Sequence, residues 1–254
     1  MTILGFDTST PATAVALRSS DGTTLRAYDE AAPGGRPSHT SRLLALTREL
    51  LAQAGADWGE VERIAVGVGP GTFTGLRVGI ATARGLAQSL GAELVGVGSL
   101  RVLAQAALRD GVTTHAAPQN VLAMIDARRG EAFLAACDAQ AELVPPCALP
   151  PQRLAALVAE LGTDREWVAV GDGALRFQGD LEALAVVVPA DASPLHRIDA
   201  GVLCELAADA PAGDPGAVLP DYRRRPDAEI ALEGGGAAPD PHAASVRMNP
   251  GSKS

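Results

Sequence analysis

Residues 63–79 read Arg63-Ile64-Ala65-Val66-Gly67-Val68-Gly69-Pro70-Gly71-Thr72-Phe73-Thr74-Gly75-Leu76-Arg77-Val78-Gly79. The apolar run 63–68 predicts a short buried strand. It stops at Gly69-Pro70-Gly71-Thr72, a turn that glycine forms easily. A helix over 74–90 follows, with Thr72 or Thr74 as its cap and Gly91 as its end. Gly75, Gly79 and Ala83 recur every four residues and share one face of that helix. A face without bulk either packs on its own sheet or admits a second helix from outside. Spacing alone leaves both open. A phosphate loop is the rival reading of a Gly-rich turn at a helix start. The Walker pattern needs a Lys that is absent here, and Thr72 stands where the dinucleotide fingerprint needs its third Gly. Only a weak capacity for an anion remains in the backbone amides.

Outward from this stretch, residues 2–7, 12–18 and 24–29 read as strands, the last two joined at Asp21-Gly22 in a hairpin. A Pro- and Gly-rich loop at 32–37 leads to a helix over 39–54, with Ser38 as its cap and Gly55 as its end. Strand 93–98 and helix 99–109 close the first half. Strands 120–126 and 131–137 flank the Arg128-Arg129-Gly130 turn, with a weak strand near 142–144. Helix 151–161, strand 167–171, short helix 173–179, strand 185–188 and helix 194–208 follow. Two units of order β-β-β-α-β-α-β-α predict an α/β, actin-like (ASKHA, RNase H-like) two-lobe fold, by fold analogy. The lobes are expected at 1–108 and 109–210, the last helix packing back on the first lobe. Residues 211–254 form an extension, read as a disordered tail from about 228.

The chain has 254 residues, 47% apolar and 20% charged, as expected of a globular protein with a sizeable core. Only 3% are aromatic, so small aliphatic groups build that core. A formal charge of −9 repels phosphate backbones, so the chain alone is not a strong nucleic-acid binder. Cys137, Cys147 and Cys204 fit neither a disulfide framework nor a zinc site and read as free thiols. The N-terminal apolar run is too short for a signal peptide, and no stretch approaches a membrane span. The expected location is the cytoplasm.

Candidate chemical groups are few. Asp7-Thr8-Ser9-Thr10 ends the first strand, where an acid could hold a hydrated metal and the hydroxyls could meet phosphate; a plain turn is as good a reading. Asp126 ends the equivalent strand of the second half. His39, His115, His196 and His242 form no pair at helical spacing, and HExxH, His-x-x-x-His and Gly-x-Ser-x-Gly are absent. A peptidase is therefore unsupported. Leu43, Leu46 and Leu50 form one stripe and Leu44 and Leu51 a second, an arc broader than one sheet contact needs. The helix is either sandwiched within its lobe, which spacing slightly favours, or meets another chain with its outer face. Pro220-Asp221-Tyr222-Arg223-Arg224-Arg225-Pro226 is a basic island that reads as a solvated charge run or as a contact for an acidic partner or RNA.

Gly67 to Gly79 resembles the signature of the TsaB family, also called YeaZ, which usually has Ser where Thr72 stands. Ile3 to Thr10 is similar to the family's first strand, Asp126-Ala127-Arg128-Arg129-Gly130-Glu131 to its second-lobe hairpin, and Pro220-Asp221-Tyr222-Arg223-Arg224 to its C-terminal segment. His39-Thr40-Ser41-Arg42-Leu43-Leu44 resembles its helix start, but Thr40 and Ser41 depart from it. The resemblance spans about residues 1–227. It implies a degenerate paralogue of TsaD, the catalytic subunit that transfers threonylcarbamoyl to an adenosine of tRNA, without that subunit's His-x-x-x-His motif. It implies a non-catalytic subunit that binds and activates TsaD, with the ATPase TsaE completing the assembly. tRNA is met indirectly, and ATP or ADP belongs to the complex rather than to this chain. The implied partner surface comprises His39, Leu43, Leu44, Leu46, Leu50 and Leu51 on one helix, with Gly75, Arg77, Val78, Gly79, Thr82 and Ala83 on the other. The same helices offer a homodimer surface. The alternative is a stand-alone actin-fold ATPase or phosphotransferase, with Asp7, Thr8, Ser9, Gly69, Gly71 and Thr72 around the phosphates and no metal site built by protein alone.

Overall fold

The computed structural model describes residues 1–30, 37–109, 118–162 and 164–223. His115, His242, Arg224, Arg225, Pro226 and the tail from 228 lie outside these residues. Short aliphatic strands β1 (Ile3–Asp7), β2 (Thr13–Arg18), β3 (Thr24–Asp29), β4 (Arg63–Gly69) and β5 (Glu93–Gly98) form a sheet of order β3-β2-β1-β4-β5. The first three form an antiparallel meander, and β4 and β5 join in parallel. Parallel pairing needs a crossover, and α1 (His39–Ala54) and α2 (Phe73–Leu90) supply the two. Both helices end on left-handed glycines, Gly55 and Gly91. After α3 (Ser99–Arg109), the pattern recurs as β6 (Asn120–Arg128), β7 (Glu131–Asp138), β8 (Glu142–Leu149), α4 (Leu154–Leu161) and β9 (Val168–Val170), in a sheet of order β8-β7-β6-β9. Helices α5 (Asp172–Arg176), α6 (Gln178–Glu182) and α7 (Ala200–Ala208) complete it.

The period-two alternation of the strands sorts side chains into layers. Leu4, Phe6, Ile64 and Val66 face α1 and α2. Ile3, Ala14, Ala16 and Ala65 point the other way, into a core shared with α3, α7 and the inner face of the second sheet. The outer face of that sheet, with Leu122, Met124 and Leu134, is covered by α4, α5 and α6 around Trp167. The order is helices, sheet, helices, sheet, helices. The two middle helices are exchanged: α3 packs on β6 and β7, and α7 packs on β1 and β2. Buried Arg63 holds the end of α7, donating to the carbonyls of Ala207, Ala208 and Ala210 while pairing with Glu93.

Four local expectations change. The strand expected near 142–144 runs from Glu142 to Leu149. Residues 185–188 form no strand; Val187 makes one parallel bridge to Val168. The helix expected over 194–208 is broken, because Asp199 takes extended backbone and caps α7 by accepting from Gly201 N at 2.7 Å. Ser38 and Thr72 hold cap positions without side-chain cap bonds. The Ser38 hydroxyl donates to Asp29 instead, at 3.0 Å.

Candidate functional site: a closed Asp7 cluster and an open helix face

Asp7, Thr8 and Ser9 leave β1 beside the turn that starts α2, and all three are buried. Alternation sends the Asp7 side chain toward α3 and the Thr8 side chain toward α2. The Asp7 carboxylate accepts from Ser9 N at 2.7 Å and from the Ser99 hydroxyl at 2.6 Å. Ser99 in turn accepts from Gly69 N at 3.2 Å. The Thr8 hydroxyl donates to Gly75 O at 2.7 Å, and Thr72 N donates to Ser9 O at 2.7 Å. Burial pushes the Asp7 carboxyl above its ordinary range, against the bonds from Ser9 and Ser99. His39 is buried next to it, with Nδ1 2.8 Å from the Thr13 hydroxyl. Burial lowers the His39 imidazole, while Asp7 and Asp29 pull it the other way.

The structure therefore brings Asp7, Thr8, Ser9, Gly69, Gly71 and Thr72 together, but as a closed cluster rather than a cradle. Gly75 shows how tight the closure is: a Cβ there would collide with the Thr8 carbonyl, and one at Gly79 with the Thr8 hydroxyl. Asp7, the Thr8 hydroxyl and the backbone of Ser9 and Thr72 are bound within the cluster, while the Ser9 hydroxyl is buried without a hydrogen-bond partner among the described residues. In the second half, Asp126 accepts from Arg128 N at 2.8 Å and pairs with the guanidinium groups of Arg128 and Arg176, so its charge is balanced locally. Burial also pushes Asp172 upward; its carboxylate accepts from Asp126 N at 3.0 Å. Burial holds the Cys204 thiol at about 12 and Cys137 at about 11, so neither is a nucleophile.

Most of the residues expected on the partner surface point inward. Leu43, Leu46, Leu50 and Leu51 are buried beneath α1, in one cluster with Ala83 of α2. Gly75 and Gly79 face Thr8. His39 is buried as well. These eight residues are buried within the lobe of the isolated chain. The broad leucine arc resolves into an inward stripe and one outward residue, Leu44, which is 42% exposed. On α2, Arg77 is exposed and Val78 and Thr82 are half-buried.

Sequence reading missed the neighbours that complete this outer face: Thr74, Ala81 and Gly85, all exposed. Among the described residues, nothing lies within 4 Å of a Cβ built at Gly85. Small residues recur at spacing four on both faces of α2, so spacing could not choose between them. The signal that could is the apolar arc Leu76, Ile80, Ala83 and Ala87, which marks the inward side. Among the described residues, no group of ligating side chains could hold a metal ion, and no helix is long and apolar enough to cross a membrane.

Comparison with known proteins places this architecture. The family model of TsaD, tRNA N6-adenosine threonylcarbamoyltransferase, matches residues 35–209. The tRNA threonylcarbamoyladenosine biosynthesis protein TsaB of Escherichia coli K12 is 44% identical over 137 residues, covering 53% of this chain and 54% of its own. The chain spans about half the length of such curated TsaB relatives (54% and 52%). An uncharacterised protein of Mycobacterium tuberculosis H37Rv is 32% identical over 230 residues, 90% of this chain and 94% of that one. The solved structure of YeaZ from Pseudomonas aeruginosa superposes with a TM-score of 0.70 at 31% identity, covering 87% of this chain and 99% of that one. With its actin-like pair of sheets and its exchanged middle helices, the chain belongs to the TsaD family, in the TsaB (YeaZ) branch.

Proposed function

We propose that this chain is a non-catalytic subunit of the cytoplasmic assembly that forms threonylcarbamoyladenosine on tRNA, and that it binds and supports the catalytic subunit TsaD through the outer faces of α1 and α2. Membership of the TsaB branch supports the pathway. The observation that carries the binding role is Gly85. A glycine inside a helix costs about 1 kcal/mol relative to alanine. Gly75 and Gly79 have a reason within the chain, since Thr8 occupies the space beside them. Gly85 has none among the described residues, and it lies on an exposed strip with Thr74 and Ala81. A strip without bulk lets a second helix approach closely.

Two further points fit the role. The sequence carries no His-x-x-x-His, and Asp7 and Thr8 spend their side-chain bonds inside the chain, which favours a partner as the source of the chemistry. TsaE and ATP or ADP then act in the complex, and tRNA is contacted chiefly by the partner, as the charge of −9 favours. In the partner's absence the same face can pair two copies of the chain.

The test is a tagged pull-down from cells with mass identification of the bound chain, alongside deletion of the gene. TsaD should co-purify in stoichiometric amount, and deletion should remove threonylcarbamoyladenosine from tRNA. Normal levels of that nucleoside in a deletion strain without a substitute gene, with no TsaD in the eluate, would overturn the proposal.

A further inference from the structure

The C-terminal segment that follows α7 returns to the N-terminal half and crosses the flank of α2. Asp221 N donates to Val68 O at 2.8 Å. Arg84 donates to the carbonyls of Gly216 at 3.1 Å and Val218 at 2.6 Å. The Tyr222 ring lies 5.3 Å from the Phe73 ring, and Arg77 sits 3.7 Å over Phe73 while donating to the Tyr222 hydroxyl at 3.1 Å. Val218 packs with the α1 and α2 side of the first sheet.

The position of this strap decides its meaning. Across the sheet, α1 lies over β2 and β3, α2 over β1 and β4, and the strap beside β5. Helix α2 is thus bordered by α1 on one side and by the strap on the other. The strap grips Phe73, Arg77 and Arg84, which share one line of the helix at 100° per residue. Thr74, Ala81 and Gly85 occupy the adjoining line and stay exposed. So the strap walls the open strip and does not cover it. Of the seven exposed large apolar side chains among the described residues, Leu44, Phe73, Leu219 and Tyr222 belong to α1, the start of α2 or the strap. Such concentration marks a contact surface rather than scattered exposure.

We infer that residues 215–222 form the third wall of the docking groove, and that its occupant is an acid-bearing helix of the catalytic partner. This rests on the partner-binding reading above. Charge argues for the acid. The chain carries −9 overall, yet this flank presents Arg77 and Arg84, which bond a hydroxyl and carbonyls and meet no carboxylate among the described residues. Asp221 balances only Arg223 within the strap, at 2.6 Å. A protein helix is favoured over RNA because the open strip and its borders carry small or aliphatic groups, Ala81, Gly85, Leu44 and Leu219, and the net charge of −9 repels phosphate.

The experiment titrates the purified full-length chain with purified TsaD by calorimetry at two salt concentrations. Tyr222→Ala and Arg84→Met should each weaken binding about tenfold or more, with melting temperature near that of the parent and faster amide exchange at Asp221. Tyr222→Phe, which keeps the ring, should lose less. Gly85→Arg serves as the control for the groove itself. Should Gly85→Arg abolish binding while both strap variants bind like the parent, the strap inference falls and the partner reading stands. Tighter binding by the strap variants would make the segment a cover and overturn the inference. Absence of binding by the parent chain would overturn both. If Tyr222→Ala leaves TsaD binding intact but removes binding of tRNA to the isolated chain, the surface belongs to RNA and the inference fails.

Discussion

Helix α2 has two faces that look alike in sequence and differ in physics. On the inner one, Gly75 and Gly79 touch Thr8, and Ala83 lies in the core. On the outer one, Ala81 is exposed and no described residue lies within 4 Å of a Cβ at Gly85. Both faces carry small residues at spacing four. On the inner face, smallness answers to a neighbour in the same chain. On the outer face nothing among the described residues demands it. Smallness without an internal neighbour is therefore the better pointer to a partner, and four substitutions test whether the two faces differ as described.

The largest effect is expected on the inner side. Gly75→Ala puts a methyl against the backbone carbonyl of Thr8, which cannot swing away as a side-chain end could. Overpacking of this kind costs about 1–3 kcal/mol, and the helix preference for alanine returns about 1 kcal/mol at most. A net loss of about 2 kcal/mol in urea unfolding is expected. A variant as stable as the parent would mean that β1 and α2 are not locked together at this point.

Next comes the outer side. Gly85→Arg should leave the unfolding midpoint within about 0.5 kcal/mol of the parent, as surface changes usually do. Its affinity for TsaD should fall about tenfold or more, because a long side chain blocks close helix approach. Loss of stability without loss of binding would reverse the assignment of the two faces.

Much of this contrast is legible in the amino-acid sequence and part is not. The meander Ile3–Asp29, the helices at 39–54 and near 74–90, and their left-handed glycine ends follow from period, propensity and turn chemistry, which are local. The repeat of the pattern discloses the two sheets. The exchange of α3 and α7 between them depends on packing across the whole chain, and no local signal carries it. The same limit explains the candidate site. Leu44 and Leu43 are neighbours of equal hydrophobicity, and only the position of the sheet makes one exposed and the other buried. Asp7, Thr8 and Ser9 read equally as a phosphate-binding turn or a plain one, because their residue types suit both. Their bonds to Ser99, Gly75 and Thr72 are long-range and could not be read from the types.

A smaller effect is expected at the lock itself. Thr8→Val removes a buried hydroxyl that donates to Gly75 O. That carbonyl lies in the first turns of α2, so the helix ladder still gives it a partner and no orphaned acceptor is left. The loss should be about 1 kcal/mol, the net worth of one buried neutral hydrogen bond. A loss of about 3 kcal/mol would show that the hydroxyl organises the turn and does not merely fasten it.

The smallest change asks the sharpest question, because it repeats the first substitution on the opposite face. In the isolated chain, Gly85→Ala adds a methyl to open space and removes a glycine from a helix interior, so stability should rise by about 0.5–1 kcal/mol. Gly75→Ala should lower it. One substitution type on one helix would then have opposite signs, set only by what stands beside the Cβ. The binding measurement should run against the stability measurement: if a partner helix comes within contact distance of Gly85, the added methyl weakens the complex while strengthening the free chain. Equal gains in stability and affinity would show that the helix crosses elsewhere, and the search for its seat would move along α1 toward Leu44.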